Sequence, residues 1–394
     1  MLSFKKDNVQ EDNFMRVLVA SDSYKGSLSS LKVGEAVLDG VKRVFPEALV
    51  RIIPIADGGE GTVQALIYSG GGEYLYRTVT APLGDKIEAF MGMLPDKTAV
   101  IEMAAASGLP LVPSDQRNPL IATTKGTGEL IKYALDEGAQ RILIGIGGSA
   151  TNDGGAGMAQ ALGVKFLDAK GQELPPGGAS LINLHYIDTS DLDKRLNKVK
   201  IDVICDVDNP LCGERGASAV YGPQKGATPE MVSFLDEALA HYAKIIAEQL
   251  GTSILDIPGA GAAGGLGGGL LAFTEAELKS GTEAVLNTIK FDEILSEYDI
   301  VITGEGKIDA QSAYGKVPMG VGIRAQKQGK PVVAIVGSIG EGAELLYEHG
   351  ITAIVPITNK PMDLDEAVKD AYDLIVQAAE RTFRLIYIQL VSEV

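Results

Sequence analysis

Five polar loops hold the residues of this chain whose types and spacing could do chemistry. Each loop follows an apolar segment and carries carboxylate, hydroxyl or lysine side chains, and all but the loop over 204–210 also contain glycine. They read ASDSYKGS (20–27), ADGGEGT (56–62), GGSATNDGGAG (147–157), ICDVDNP (204–210) and TGEGKIDAQS (303–312). Because ligands bind outside the carboxyl ends of strands in open parallel sheets, we expect these loops to converge on one site.

Anions are the ligands that most of these loops suit. Glycine lets backbone N–H groups face an anion at a helix start, and a nest of amides and hydroxyls suits a phosphate chain or the carboxylate of a small acid. Lysine suits a phosphate as a point charge. We therefore expect the following residues to bind substrate or phosphate: Asp22, Ser23, Gly58, Gly59, Glu60, Gly147, Gly148, Ser149, Thr151, Asn152, Glu305 and Lys307.

The same loops carry candidates for a metal site and for the chemical step. Asp206 and Asp208 lie on the same side of an extended segment, where two close carboxylates suit Mg²⁺ or one ionised and one protonated group. A carboxylate could accept a hydroxyl proton, and lysines could neutralise developing phosphate charge. The predicted catalytic residues are Asp206, Asp309, Lys25 and Lys316, and the predicted metal ligands are Asp57, Asp153 and Asp208.

These residues are the ingredients of phosphoryl transfer, but by themselves they indicate only an α/β enzyme that binds phosphate or an acid. Ordinary structural roles compete with each assignment. Lys25 could be a solvated lysine beside a helix start, Asp57 a helix-capping carboxylate, and 147–157 a tight structural loop. The patterns G-x-x-x-x-G-K-[ST], H-E-x-x-H and G-x-S-x-G are absent from the sequence, which removes the commonest P-loop, metalloprotease and serine-hydrolase interpretations.

GIGGSA (145–150) also matches the dinucleotide pattern G-x-G-x-x-A. It follows an apolar segment, and Asp168 falls 20 residues past Gly148, which is the position of the acidic residue in that fingerprint. However, GAGAAG (259–264) matches the pattern as well, and TNDGGAG intervenes before any helical run. The dinucleotide interpretation therefore stays an alternative.

Composition narrows the class of protein. The 394 residues carry 35 Lys and Arg against 52 Asp and Glu, a formal net charge of −17, so we expect neither nucleic acid nor an anionic membrane as a partner. Two cysteines and three histidines fit a reducing, cytoplasmic setting. No apolar run reaches the length of about 18 residues that a membrane span needs, and the opening segment lacks the apolar stretch of a secretory signal.

Length and rhythm predict two domains. Strand, glycine-bearing loop and helix alternate from Met15, and the same rhythm returns near the end of the chain. We expect an α/β protein in which a Rossmann-like parallel-sheet domain is built from both chain ends, with a second α/β domain inserted. The predicted boundaries are a polar extension over 1–14, the discontinuous domain over 15–77 and 288–394, and the insertion over 78–287.

Eleven blocks of sequence, in order, resemble the type I glycerate kinase family. They include SDSYKGSLS, PIADGGEGT, GIGGSATNDGGAGMAQALG, CDVDNPLCG, YGPQKGA, GAGAAGGLGGGL and DIVITGEGKIDAQS. The resemblance extends from Asp22 to Ile339 and implies ATP-dependent phosphorylation of D-glycerate to phosphoglycerate in a cytoplasmic enzyme, with ATP and Mg²⁺ as cofactors. It also implies the interrupted Rossmann-like architecture.

The sequence leaves three matters open. An NAD-dependent sugar-acid dehydrogenase and a non-catalytic acid-binding module stay as alternative functions. The phosphorylated position of glycerate, the 2- or the 3-hydroxyl, is not resolved, and neither is the loop that takes ATP. A homo-oligomer is compatible with the sequence but not indicated by it.

Overall fold

The computed structural model describes residues 14–56, 58–59, 61–313 and 315–392, with side chains to residue 388. Residues 1–13 of the polar extension, and the predicted site residues Asp57 and Glu60, lie outside the described residues.

The strands are short and rich in Val and Ile, which fit a pleated, buried surface. In the described chain they are β1 (Arg16–Val19), β2 (Leu49–Ile52), β3 (Glu73–Thr80), β4 (Lys86–Met93), β5 (Thr98–Glu102), β6 (Arg141–Gly145), β7 (Lys165–Leu167), β8 (Tyr186–Asp188), β9 (Lys200–Ile204), β10 (Ala276–Lys279), β11 (Ile300–Thr303), β12 (Lys307–Ile308), β13 (Val332–Val336), β14 (Ser338–Ile339) and β15 (Ala353–Pro356).

The α-helices that connect or follow these strands are α1 (Ser30–Lys42), α2 (Thr62–Gly70), α3 (Ala104–Ser107), α4 (Lys125–Asp136), α5 (Ala156–Ala161), α6 (Ala217–Tyr221), α7 (Pro229–Leu250), α8 (Ala262–Phe273), α9 (Gly281–Thr288), α10 (Phe291–Leu295), α11 (Val317–Lys327), α12 (Leu364–Lys369) and α13 (Ala371–Ser392). Single 3₁₀ turns lie at Leu109–Leu111, Ser114–Gln116, Gly178–Asn183, Lys194–Lys198, Pro223–Lys225, Ala310–Ala313 and Ala343–His349.

The chain divides into two compact units. The terminal unit comprises residues 14–54 and 290–392, and the middle unit comprises residues 55–289. The predicted first boundary, after residue 77, is wrong, because β3 pairs along its whole length with β4 and α2 packs on β4 and β5. Residues 55–77 therefore belong to the middle unit. The second division falls after residue 289, near the predicted position after residue 287.

The terminal unit is built on five parallel strands in the order β15-β13-β11-β1-β2. Renumbered within this sheet, the order is 2-1-3-4-5, the arrangement of doubly wound nucleotide-binding folds. Its core joins apolar residues of β1 and β13 to α1 and α13. The strand order reverses between β1 and β11, so the loops after these two strands leave from adjacent carboxyl ends. This reversal is where such folds bind their ligands.

The middle unit is built on a mixed sheet in the order β10-β9-β6-β5-β4-β3. The strands β5, β6, β9 and β10 run parallel, and β3 and β4 add an antiparallel edge. One apolar cluster lies against this sheet, and a second joins α7 to the β7–β8 hairpin. The α/β class predicted from the sequence is confirmed. Within the described residues, every helix is too short or too polar to cross a lipid bilayer.

Candidate active site

In the terminal unit, the loops after β1 and β11 pack against each other. The backbone N–H of Asp22 donates to the carbonyl oxygen of Gly304 at 3.0 Å, and the Ser21 hydroxyl donates to the same oxygen at 3.0 Å. The buried Asp22 carboxylate accepts the N–H of Ser23 at 2.6 Å. The fold thus places the predicted residues of the loop over 20–27 beside those of the loop over 303–312.

Glu305 is the centre of the second of these loops. Its carboxylate is buried, accepts the Ser312 hydroxyl and lies 3.5 Å from the Lys316 ammonium. Burial raises the pKa of Glu305, and the contacts with Ser312 and Lys316 oppose that rise. Glu305 is therefore a residue that orients Lys316, and it does not offer an open carboxylate to a substrate.

Lys307 and Asp309 form an ion pair, with 3.1 Å between Nζ and Oδ2. The hydrogen bond from Lys307 lowers the pKa of Asp309, and a carboxylate with a lowered pKa is a weaker proton acceptor. Lys25 is exposed, and Lys316 is partly exposed. These two lysines are the predicted catalytic cations of the terminal unit.

In the middle unit, three of the predicted loops meet at the carboxyl ends of β6 and β9. A Cβ placed on Gly145 would overlap the carbonyl oxygen of Gly58, and a Cβ on Gly147 would lie 3.4 Å from Cα of Gly59. A Cβ on Gly58 would overlap the side chain of Ile204. Glycine is therefore required for these backbones to approach each other so closely.

The turn after β6 presents unpaired backbone donors. Gly147 and Gly148 are exposed, and Gly148 has a φ of +75°. Across the described residues, the N–H groups of Gly147, Gly148 and Ser149 have no backbone or side-chain acceptor. The turn is held from the other side, because Leu109 N–H donates to the Gly148 carbonyl at 2.8 Å. Consecutive unpaired N–H groups in such a turn form a nest that suits an anion.

The rest of this loop, which carries the predicted site residues Thr151, Asn152 and Asp153, is interior. All three are completely buried. The Asn152 amide donates to the Ser218 hydroxyl at 3.0 Å, while the Thr151 hydroxyl oxygen and the Asn152 amide oxygen are buried without a partner in the described chain. Neither Thr151 nor Asn152 is exposed in this structure, and their contact with a substrate stays a prediction.

Four hydrogen bonds tie the Asp153 carboxylate into the loop. Its Oδ2 accepts the N–H of Thr124 at 2.8 Å, the Thr124 hydroxyl at 2.9 Å and the N–H of Gly157 at 3.2 Å, and its Oδ1 accepts the N–H of Gly155 at 3.2 Å. Burial raises the pKa of Asp153, and these hydrogen bonds counter the rise. Both carboxylate oxygens thus accept protein donors, and a role of Asp153 as a metal ligand stays a prediction.

The glycine-rich segment over 259–269 packs against the loop over 147–157. Gly154 N–H donates to the Gly264 carbonyl at 3.0 Å, and Gly264 and Gly265 adopt left-handed backbone at the start of α8. A Cβ on Gly264 would overlap the carbonyl of Thr151, and one on Gly269 would overlap that of Gly154. The glycines over 259–269 therefore let α8 pack directly on the 147–157 loop.

Asp206 and Asp208 follow β9 and are both exposed. Asp206 accepts the N–H of Gly281 at the start of α9 at 2.9 Å. Asp208 pairs with Arg215 at 2.8 Å, and that hydrogen bond lowers the pKa of Asp208. The described residues include no group of three His, Cys, Asp or Glu side chains that could hold a metal ion. Mg²⁺ is usually held by only one or two carboxylates plus substrate phosphates, and the exposed Asp208 can supply one such carboxylate.

Lys225 and Glu102 are buried charged residues of the middle unit that are absent from the predicted site. The Lys225 ammonium donates to the Ser149 hydroxyl and to the Thr151 carbonyl, each at 2.6 Å. The Glu102 carboxylate, at the end of β5, accepts the N–H of Val63 in the first turn of α2 at 2.8 Å. Lys225 lies in the YGPQKGA block, between Gly222 and Gly226. A lysine in a turn is normally solvated, and only its position in a block that resembles the family distinguished Lys225 from other surface lysines.

The structure contradicts the dinucleotide interpretation. A fingerprint helix begins within the glycine motif, whereas α5 begins only at Ala156 after a buried loop. Asp168 lies in the turn that follows β7 and accepts the N–H groups of Lys170 at 2.8 Å and Gln172 at 2.9 Å. It therefore caps a turn and does not lie at the end of a neighbouring parallel strand.

Comparison with known proteins gives one consistent match. A sequence model of the glycerate kinase family matches residues 17–387. A glycerate kinase of Bacillus subtilis (strain 168) is 52% identical over 371 residues, which span 94% of this chain and 96% of that protein. A glycerate 2-kinase of Escherichia coli (strain K12) is 51% identical over 366 residues, 93% of this chain and 96% of that protein.

A solved structure agrees with these relatives. A chain from Salmonella typhimurium LT2, provisionally assigned as glycerate kinase 2, matches with a TM-score of 0.86 and 48% identity over 96% of this chain and 100% of its own length. The resemblance carried by the eleven sequence blocks is thereby confirmed. The chain belongs to the glycerate kinase family.

Proposed function

We propose that this enzyme transfers the γ-phosphoryl group of ATP to the 2-hydroxyl of D-glycerate, giving 2-phosphoglycerate and ADP. The choice of position is supported by the 51% identity to the relative named glycerate 2-kinase. The observation that carries the proposal in the structure is the nest of unpaired N–H groups at 147–149, beside the glycines at 58–59 and at the same strand-end edge as Asp206.

Within the middle unit, the nest binds an anionic group and Asp206 accepts the proton of the attacking hydroxyl. Asp206 is suited to this role because it is exposed and its Oδ1 is fixed by Gly281. Asp309 is the weaker candidate, since Lys307 lowers its pKa. Proton acceptance of this kind contributes typically about 10²- to 10⁴-fold to a rate.

Within the terminal unit, Lys25 and Lys316 supply positive charge at the reversal of strand order. Lys316 is oriented by the buried Glu305 at 3.5 Å, and Lys25 follows β1 in the loop that is bonded to Gly304. Cations aimed at a transferred phosphoryl group stabilise the charge that develops on it. When Mg²⁺ is bound with ATP, it supplies further charge neutralisation, and Asp208 is the exposed carboxylate beside Asp206 in the loop after β9 that would help to hold it.

The experiment is proton-coupled ³¹P NMR of the product formed from D-glycerate and Mg-ATP. Phosphorus on the 2-oxygen couples to one carbon-bound proton and gives a doublet, whereas phosphorus on the 3-oxygen couples to two and gives a triplet. A new doublet together with ADP supports the proposal, and a triplet overturns the position. Glycerate binding without any new phosphate ester would identify an acid-binding module instead. Reduction of NAD⁺ with glycerate would identify a dehydrogenase.

A further inference from the structure

Lys225 is the most unusual charged residue of the middle unit. It ends the 3₁₀ turn Pro223–Lys225 and is only 1% exposed. The turn is fixed by Gly226, whose φ is +91° and whose position leaves no room for a Cβ beside the carbonyl of Arg117. The backbone therefore directs the Lys225 side chain beneath the loop that carries Ser149.

The hydrogen bond from Lys225 fixes the direction of the Ser149 hydroxyl. An ammonium group has three donors and no acceptor, so the Ser149 oxygen must accept in the 2.6 Å contact. The hydroxyl hydrogen of Ser149 then points elsewhere, and within the described residues it donates to no acceptor. Ser149 directly follows the unpaired N–H groups of Gly147 and Gly148, and its own N–H is unpaired too.

The charge of Lys225 also lacks a counterion. In the described part of the chain it forms no ion pair, and its two partners are a hydroxyl and a carbonyl. The one carboxylate that acts on it, Asp153, is occupied by four hydrogen-bond donors of its own. Burying an unpaired ammonium is costly, and a purely structural bridge between a hydroxyl and a carbonyl does not need a positive charge. An anion bound at the nest would compensate that charge.

We propose that Lys225 is a positioning residue: it turns the Ser149 hydroxyl into a donor aimed at the anionic substrate group bound by the N–H groups of Gly147–Ser149. The inference rests on the proposed function, because it assigns an anion to that loop. The group bound at the nest is an oxyanion. It is either the carboxylate of glycerate or a phosphate of ATP.

The test is a double-mutant cycle on the full-length enzyme with Lys225→Met, Ser149→Ala and the double variant. Methionine has a similar length but no charge and no donor. We expect each single change to raise the KM and the calorimetric dissociation constant of one substrate by about 10- to 100-fold, the range for one hydrogen bond in a charged network. The double variant should bind that substrate no more weakly than the single variant with the lower affinity, since Lys225 acts through Ser149.

Separate titrations of D-glycerate and ATP identify the ligand, because only the substrate whose oxyanion binds at the nest should lose affinity. Lys244→Met is the matched control. Lys244 is an exposed lysine of α7 in the same unit, and its loss should change neither dissociation constant. Thermal melting of each variant shows whether it is folded.

Three results would overturn the proposal. One is unchanged affinity for both substrates in folded Lys225→Met. Another is an equal loss for both substrates, and the third is fully additive losses in the double variant, which would mean that Lys225 does not act through Ser149. If Lys225→Met does not fold, Ser149→Ala with calorimetry decides, since unchanged affinity there removes the donor from the site.

Binding of inorganic phosphate separates this inference from the proposed function. If glycerate is not phosphorylated but phosphate binds the wild type and not folded Lys225→Met, the role of Lys225 stands and the proposed reaction falls. If glycerate is phosphorylated equally well by both proteins, the reaction stands and the role of Lys225 falls.

Discussion

The backbone of Gly145 lies directly against the carbonyl oxygen of Gly58, with no room for a side-chain atom between them. Gly145 is the last residue of β6 and Gly58 belongs to the loop before α2, so this contact joins two of the loops predicted to bind anions. The two loops can therefore lie this close only because residue 145 is a glycine and has no side chain.

We expect Gly145→Ala to push these loops apart. The added methyl group should lower the free energy of unfolding by about 1–3 kcal/mol, as overpacking does, and should lower kcat/KM by more than the stability loss explains. Gly70→Ala is the control, because Gly70 is helical and its nearest neighbour to an added Cβ is 3.6 Å away. Urea denaturation and steady-state kinetics measure both effects. Equal activity of the two folded variants would mean that the approach of Gly58 to Gly145 has no role in the site.

Asp206→Asn should lower kcat by at least about 100-fold, the scale of a general base, with little change in stability. The asparagine oxygen can still accept the N–H of Gly281, so α9 should keep its start. Asp168→Asn is the matched control, since Asp168 caps a turn of the same unit and should leave turnover unchanged. The measurement is ADP release under saturating substrates. Near-normal turnover of Asp206→Asn would remove this carboxylate from the chemical step.

Glycine spacing in the sequence predicts some features of the candidate site and misses others. Glycine spacing marks positions where a backbone can approach another group closely, as Gly145 and Gly147 approach the loop over 56–62, because a missing side chain is visible in the sequence. It could not tell an exposed nest from a buried loop, so Thr151 and Asn152 were assigned to a substrate although both are interior.

Contacts between residues that are far apart in the sequence could not be predicted. Asp153 meets Thr124, which is 29 residues away, and Lys225 meets Ser149 across 76 residues. Nothing local in the sequence marks either pair, because tertiary packing alone decides which polar groups are desolvated together. The strand rhythm predicted the α/β class, but the predicted boundary after residue 77 falls inside β3, which pairs with the next strand, β4, in the middle unit.

Lys225 should make stability depend on pH. Burial lowers the pKa of Lys225 to about 7, and Asp153 opposes that shift. The unfolded chain therefore binds this proton up to the ordinary lysine range, while the folded protein without a bound anion releases it above about pH 7. Stability rises with pH wherever the unfolded state binds more protons, so the wild type should gain stability from pH 7 to pH 9 relative to Lys225→Met.

Urea titrations of both proteins at these pH values, without substrate, measure that difference. Arg117 donates to the carbonyl of Gln224, which precedes Lys225, and Asp153 acts on Tyr242 as it does on Lys225. These titratable groups are present in both proteins, so their contributions cancel in the comparison. A difference that stays constant between pH 7 and pH 9 would show that Lys225 titrates outside this range.

Substitution of Asp153 tests whether the carboxylate of the loop over 147–157 is structural or binds a metal ion. Asp153→Ala would leave the N–H groups of Thr124, Gly155 and Gly157 without their acceptor in the interior. Each unsatisfied buried donor costs about 1–3 kcal/mol, so we expect a loss of at least about 3 kcal/mol in the free energy of unfolding. Asp153→Asn keeps one acceptor oxygen and should lose less. The second measurement is the Mg²⁺ concentration that half-saturates turnover of whichever variant stays folded at the assay temperature. Because both Asp153 oxygens are occupied by protein donors, this concentration should equal that of the wild type. A folded variant with wild-type stability and a several-fold higher Mg²⁺ requirement would instead return Asp153 to the metal site.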